Sequence, residues 1–119
     1  MFEQSLTFSF EAAHRLSTDG VRPDYERVHG HSFVVTLVLA GDALIDGKWL
    51  CDFGKVKETT KALHAKLDHR VLNDIEGLEI PTLENLAAWI FDAGVKDLPL
   101  LSKVIVERPT LGEKVAFYK

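Results

Sequence analysis

His29-Gly30-His31-Ser32-Phe33-Val34-Val35-Thr36-Leu37-Val38-Leu39 is the stretch on which the reading of this chain turns. From about residue 31 to Gly41 it reads as a strand that is apolar on both faces, so both faces are expected to be covered. Side chains two apart on a strand share a face, which lets the His29 and His31 imidazoles meet a single ion. Upstream, Leu6-Thr7-Phe8-Ser9-Phe10-Glu11-Ala12-Ala13-His14 begins as a clean alternation of apolar and hydroxylated residues. His14 has the parity of Leu6, Phe8 and Phe10 and is expected to point inward with them. Three neutral imidazoles leave a Zn²⁺ ion its full charge and one open position, the arrangement of a catalytic rather than a structural zinc site. Taken singly, each histidine reads as a scattered core or surface residue. The pair at a strand start, with a third of matching parity, reads as a zinc centre.

The rest of the composition narrows the setting. A chain of 119 residues has room for one domain, 1–119, with a real core but not for two. Hydrophobic residues at 46% and charged residues at 27% are an ordinary balance for a soluble globular protein. A net charge of −4, with lysines and arginines interspersed among acids, argues against a nucleic-acid surface. The start lacks the basic and apolar pattern of a secretion signal, and the longest apolar run, residues 33–40, is too short to cross a bilayer. Cys51, the one cysteine, has no intrachain partner, so a reducing, cytoplasmic location is expected.

The first strand is expected over residues 3–14, followed by a polar loop over 17–27 containing Gly20 and Pro23. After the second strand comes the turn Asp46-Gly47. Asp52 then caps a helix running to about Lys66, with Phe53, Val56, Leu63 and Leu67 at helical spacing. Residues 68–81 read as a loop. Thr82 caps a second helix with Leu83, Leu86, Ala87 and Ile90 on its inner face and Gly94 as its stop. Strands are expected over 101–107 and 115–118, separated by a turn at 108–112. The order ββααββ describes an α+β fold, a four-stranded antiparallel sheet with two helices on one face. Two open sheet edges and an apolar second face are a liability unless subunits pair, so a closed oligomer is expected.

The strings Phe10-Glu11-Ala12-Ala13-His14-Arg15-Leu16 and His29-Gly30-His31-Ser32-Phe33 resemble the 6-pyruvoyltetrahydropterin synthase and 6-carboxytetrahydropterin synthase family. Further matching blocks are Asp52-Phe53, Leu67-Asp68-His69 with Leu72-Asn73-Asp74, Pro81-Thr82 with Glu84-Asn85-Leu86-Ala87, and Glu107. The resemblance implies the tunnelling fold, in which subunit sheets join into a multi-subunit barrel, commonly a homohexamer built as a dimer of trimers. It implies a small-molecule pterin substrate, active sites at subunit interfaces, and zinc held by His14, His29 and His31. It also implies that Asp68 and His69 form a pair assisting proton transfer, and that Glu107 anchors the pterin. Thr82 is a further candidate pterin contact. A carboxylate suits the anchoring task, because it accepts two parallel hydrogen bonds from the ring N–H and exocyclic amine.

The chain departs from the family pattern at one place. Members acting on dihydroneopterin triphosphate carry a cysteine shortly before His-Gly-His, and Tyr25 stands at that position here. Cys51 lies elsewhere, in an apolar stretch that suits an inert thiol. Glu26-Arg27-Val28-His29-Gly30-His31 instead fits an E-x-x-H-G-H variant, in which glutamate serves as base. That variant resembles enzymes that cleave the side chain of dihydroneopterin by retro-aldol chemistry to a folate precursor. The expectation is a zinc-dependent pterin lyase acting on 7,8-dihydroneopterin or its triphosphate, with Glu26 as general base. Two alternatives stand beside it: a 6-carboxytetrahydropterin synthase of queuosine or deazapurine biosynthesis, and a non-catalytic pterin-binding homologue.

Overall fold

A computed structural model describes all 119 residues, Met1–Lys119. In chain order the elements are β1 (Phe2–His14), α1 (Pro23–Glu26), β2 (His29–Gly41), α2 (Phe53–Leu67), α3 (Leu83–Val95), β3 (Leu101–Arg108) and β4 (Glu113–Tyr118), with single 3₁₀ turns at Leu72–Asp74 and Pro109–Leu111. The strands form one antiparallel sheet in the order β1-β2-β3-β4. The expected α+β architecture is therefore the observed one. Asp46 and Gly47 both take positive φ, 52° and 69°, as the tight turn between the bridged residues Ile45 and Trp49 demands.

Strand parity builds the core. Leu6 lies opposite Leu37, Phe8 opposite Val35, Phe10 opposite Phe33, Ala12 opposite His31 and His14 opposite His29. These pairs share the face that α2 and α3 cover, α2 packing on β1 and α3 on β3 and β4. Phe10 and Phe33 stack with centroids 5.0 Å apart, in one core cluster with Val104 and Val106 of β3 and with Leu67, Leu86 and Ile90 of the helices. Asp52 caps α2 by accepting from the Gly54 N–H at 3.0 Å, and Thr82 caps α3 by accepting from the Asn85 N–H at 3.1 Å. In α2, Val56, Leu63 and Leu67 are buried as their spacing predicts, while Phe53 in the first turn is exposed.

Four expectations change in detail. The polar loop after β1 contains the single helical turn α1, started by Pro23. β2 begins at His29 rather than His31, because pairing with β1 continues to the end of that strand. Gly94 does not stop α3 but lies inside it, where an added Cβ would stand 3.2 Å from Leu101 Cδ2. Its role is close approach of helix to strand. Finally, the far face of β2 is only half covered within one chain, with Val34 and Thr36 partly exposed.

The outer edge of β1 is also less open than expected. Residues 68–73 run along it, with the Glu11 N–H donating to Asp68 Oδ1 at 3.0 Å and the His69 N–H donating to the Glu11 carbonyl at 2.7 Å. Ala13 N–H donates to the Arg70 carbonyl at 2.9 Å. The segment read as a plain loop thus covers the sheet edge beside His14.

Candidate active site

His14, at the end of β1, is 1% exposed, and His29 and His31 open β2 directly across from it. The three rings stand edge to face, with centroids 4.7, 5.0 and 4.8 Å apart. Their ligand-capable nitrogens all lie within 4.8 Å of one another. His14 Nδ1 is 3.0 Å from the Pro81 carbonyl and His29 Nδ1 is 2.7 Å from the Arg27 carbonyl. A carbonyl only accepts, so both rings carry their proton on Nδ1 and present a lone pair at Nε2. The two Nε2 atoms face each other at 3.1 Å, and His31 Nε2 is buried with no partner.

Unprotonated nitrogens brought together in this way repel unless a cation lies among them, and an orphaned buried polar atom calls for an explanation. The donor set therefore fits a zinc ion: nitrogen ligands, tautomers fixed by outer carbonyls, and no fourth protein ligand. Burial disfavours the charged form of two of these rings, His14 and His31. His14 is held below the ordinary imidazole range chiefly by burial, against the Pro81 bond, with His29 and Arg108 adding to the downward shift. His31 is pushed down to about 4 by burial and then by His14, Arg108 and His29. Arg108 shares the inner face with Val104 and Val106, and its Nε lies 2.8 Å from Glu113 Oε1.

Hollows flank the trio. One, of about 690 Å³, is lined by Arg15, Ser17, Thr18, Glu26, Asn73 and Thr82 among others. It adjoins the histidines through the chain itself, since Arg15 follows His14, Thr82 follows Pro81 and Glu26 precedes Arg27. Glu26 Oε2 accepts from the Thr18 hydroxyl at 2.6 Å and the Gly20 N–H at 2.7 Å, and these bonds hold its carboxyl below the usual range. Arg27 pairs with Asp24, not with Glu26. The second hollow, of about 490 Å³, is lined by Glu11, His31 and His69 among others. His69 Nδ1 is 2.8 Å from Asp68 Oδ2, and this hydrogen bond raises the imidazole above its ordinary pKa. Asp68 is lowered first by the Glu11 N–H and then by His69. His69 holds φ at 57°, strained for a residue with a Cβ and maintained by its bond to Glu11.

Glu107 sits apart from this group. It pairs with Val34 in β2 and so lies on the far face of the sheet, 3.8 Å from Lys114 Nζ. Cys51 is also remote. Its backbone is bound to Gln4, ten residues before His14 along β1, which puts about 33 Å of strand between them. Burial first and Asp52 second push its thiol pKa up.

A family sequence profile described as "6-pyruvoyl tetrahydropterin synthase" matches residues 3–118. The chain belongs to the 6-pyruvoyl tetrahydropterin synthase family. Among its relatives, a 6-carboxy-5,6,7,8-tetrahydropterin synthase of Synechocystis is 42% identical over 104 residues, covering 76% of each chain. A dihydroneopterin monophosphate aldolase of Pyrococcus furiosus is 37% identical over 91 residues, 76% of this chain and 73% of that one. The solved 6-pyruvoyl tetrahydropterin synthase of Caenorhabditis elegans has the same fold, with a TM-score of 0.84 over 99% of this chain and 95% of that one at 24% identity. The family placement agrees with the resemblance read from the motifs, and makes this chain a member of a family of pterin lyases.

Sequence reasoning missed three participants near the site. The Pro81 and Arg27 carbonyls that orient two of the rings carry no residue signature, because any residue offers a carbonyl. Arg108 had a signal in its parity with Val104 and Val106, which places it on the histidine face.

Proposed function

We propose that this chain is a zinc-dependent lyase that cleaves the side chain of 7,8-dihydroneopterin, or of its phosphate esters, by a retro-aldol route with Glu26 as general base. The observation that carries this reading is the trio of convergent imidazole nitrogens beside a hollow that is lined by Glu26 and holds no thiol. His14, His29 and His31 would hold the ion. Zinc supplies Lewis acidity toward the vicinal hydroxyls of such a side chain.

The protein's own groups divide the remaining work. Glu26, kept ionised by Thr18 and Gly20, accepts the hydroxyl proton whose loss permits C–C cleavage. A carboxylate of lowered basicity suits an acidified hydroxyl better than a carbon-bound proton. His69, whose charged form Asp68 stabilises, holds a proton for delivery to the product carbon. Thr82 borders the same hollow as Glu26 and offers a hydroxyl to the pterin. Glu107 lies on the sheet face away from the histidines, so it serves as pterin anchor only in a site shared between subunits of a homo-oligomer. A hexamer, as a dimer of trimers, meets that requirement. A cytoplasmic location is part of this proposal.

A second reading, 6-carboxytetrahydropterin synthesis, is favoured by the identity to the Synechocystis relative. The test is incubation of zinc-loaded protein with dihydroneopterin, its monophosphate and its triphosphate, with products separated by chromatography. The aldolase reading expects 6-hydroxymethyl-7,8-dihydropterin, and Glu26→Ala should slow its formation about a hundredfold or more. A 6-carboxytetrahydropterin product would transfer the assignment to the second reading. Pterin binding with no turnover of any of the three would mean a non-catalytic homologue. A Glu26→Ala rate within a few-fold of wild type would remove Glu26 from the mechanism.

A further inference from the structure

We propose that Asn73 is a positioning residue for the metal centre, its amide tying the backbone beside His14 to the loop whose carbonyl orients the His14 ring. The inference rests on reading the three histidines as a zinc centre.

The inner end of β1 has a structural problem. β1 ends at His14, and Arg15 just beyond it has no strand to pair with. Asn73 takes the place of that strand: Oδ1 accepts from the Arg15 N–H at 3.0 Å and Nδ2 donates to the Arg15 carbonyl at 2.9 Å. One planar amide thus supplies the donor and acceptor of a ladder rung. The same Nδ2 reaches the Glu79 carbonyl at 3.5 Å. Glu79 leads through Ile80 to Pro81, whose carbonyl meets His14 Nδ1 at 3.0 Å. One side chain therefore holds both the backbone carrying His14 and the approach to its ring partner. The ring itself is 1% exposed, so water cannot stand in for the Pro81 carbonyl if the loop shifts.

The far end of β1 provides an internal control. Gln4 makes the same two-point clamp there, with Nε2 donating to the Cys51 carbonyl at 2.6 Å and Oε1 accepting from the Cys51 N–H at 3.1 Å. It stabilises the sheet but touches nothing near the histidines.

The experiment compares full-length wild type with Asn73→Ala, Asn73→Asp and Gln4→Ala. Zinc affinity is measured by competition with a chromophoric chelator, ligand geometry by the visible spectrum of the Co²⁺-substituted protein, and stability by thermal melts of metal-free protein. Asn73→Ala should weaken zinc binding about tenfold or more, as loss of outer partners of metal ligands does, and alter the Co²⁺ bands. Asn73→Asp keeps the acceptor for Arg15 N–H but loses both donor bonds, and should fall between. It decides the matter if the alanine variant does not fold. Gln4→Ala should lower the melting temperature with affinity and spectrum unchanged. Wild-type zinc affinity and Co²⁺ bands in the Asn73 variants would overturn the proposal, as would an equal loss of affinity in Gln4→Ala. Failure of wild type itself to bind zinc would instead sink the zinc reading on which the proposal rests.

Discussion

His31 and His69 are imidazoles on the same hollow with opposite displacements. His31 is pushed down to about 4, first by burial and then by the neighbouring His14, Arg108 and His29. The unfolded chain therefore takes up that proton first, near pH 6.5, so the stability His31 contributes is present above that pH and is lost as pH falls toward 4. In metal-free protein, calorimetry should find wild type losing melting temperature relative to His31→Gln as pH drops from 6.5 to 4. A constant difference across that window would contradict the shift. His69 behaves in the reverse sense: Asp68 raises it, so its contribution is whole below pH 6.5 and lost as pH rises through the folded value. Asp68→Asn should return the His69 ring-proton titration by NMR toward 6.5. An unchanged midpoint would mean the 2.8 Å contact does not persist in solution.

The caps of α2 and α3 are chemically alike, yet only one borders the site. Asp52 and Thr82 each accept from a backbone N–H in the first turn, so replacing either with alanine should cost about 1 kcal/mol in urea unfolding. Thr82 also lines the hollow that holds Glu26, whereas Asp52 does not. Asp52→Ala should leave turnover and pterin affinity near wild type, and Thr82→Ala should weaken pterin binding as well as stability. Equal turnover and binding in the two variants would reduce Thr82 to a cap. Gly94 teaches a related point about α3. A glycine late in a helix signals a stop, but the same residue permits close packing, and here Leu101 uses the space.

The molecule is long for its size. Its radius of gyration is 15.4 Å and its extents are 55 × 24 × 23 Å, whereas a compact chain of this length averages about 13.5 Å. The sheet outruns the helices covering one face, and its other face carries Val34, Thr36 and Ile105 only partly covered. A sheet of this shape is suited to burial against further copies. Val34→Lys, which places a charge on that face while leaving the core side untouched, should convert an oligomer to monomers in sedimentation and abolish turnover, with circular dichroism retained. A wild-type monomer at micromolar concentration would refute assembly and leave Glu107 without access to the histidine site.

The order of the four strands and two long helices, both caps and the inward parity of all three histidines were legible beforehand, because each follows from a short local rule: period two in strands, oxygen side chains before helices. No such rule speaks of which backbone meets which. The cover that residues 68–73 give β1, the carbonyls of Arg27 and Pro81 against the rings, and the amide of Asn73 beside Arg15 join positions up to 67 residues apart. Those contacts exist only once the chain has closed on itself. Composition and periodicity thus determined the strands, the helices and the histidine face, while folding alone decided tautomers, neighbours and which face Glu107 occupies, since these depend on distance in space rather than spacing along the chain.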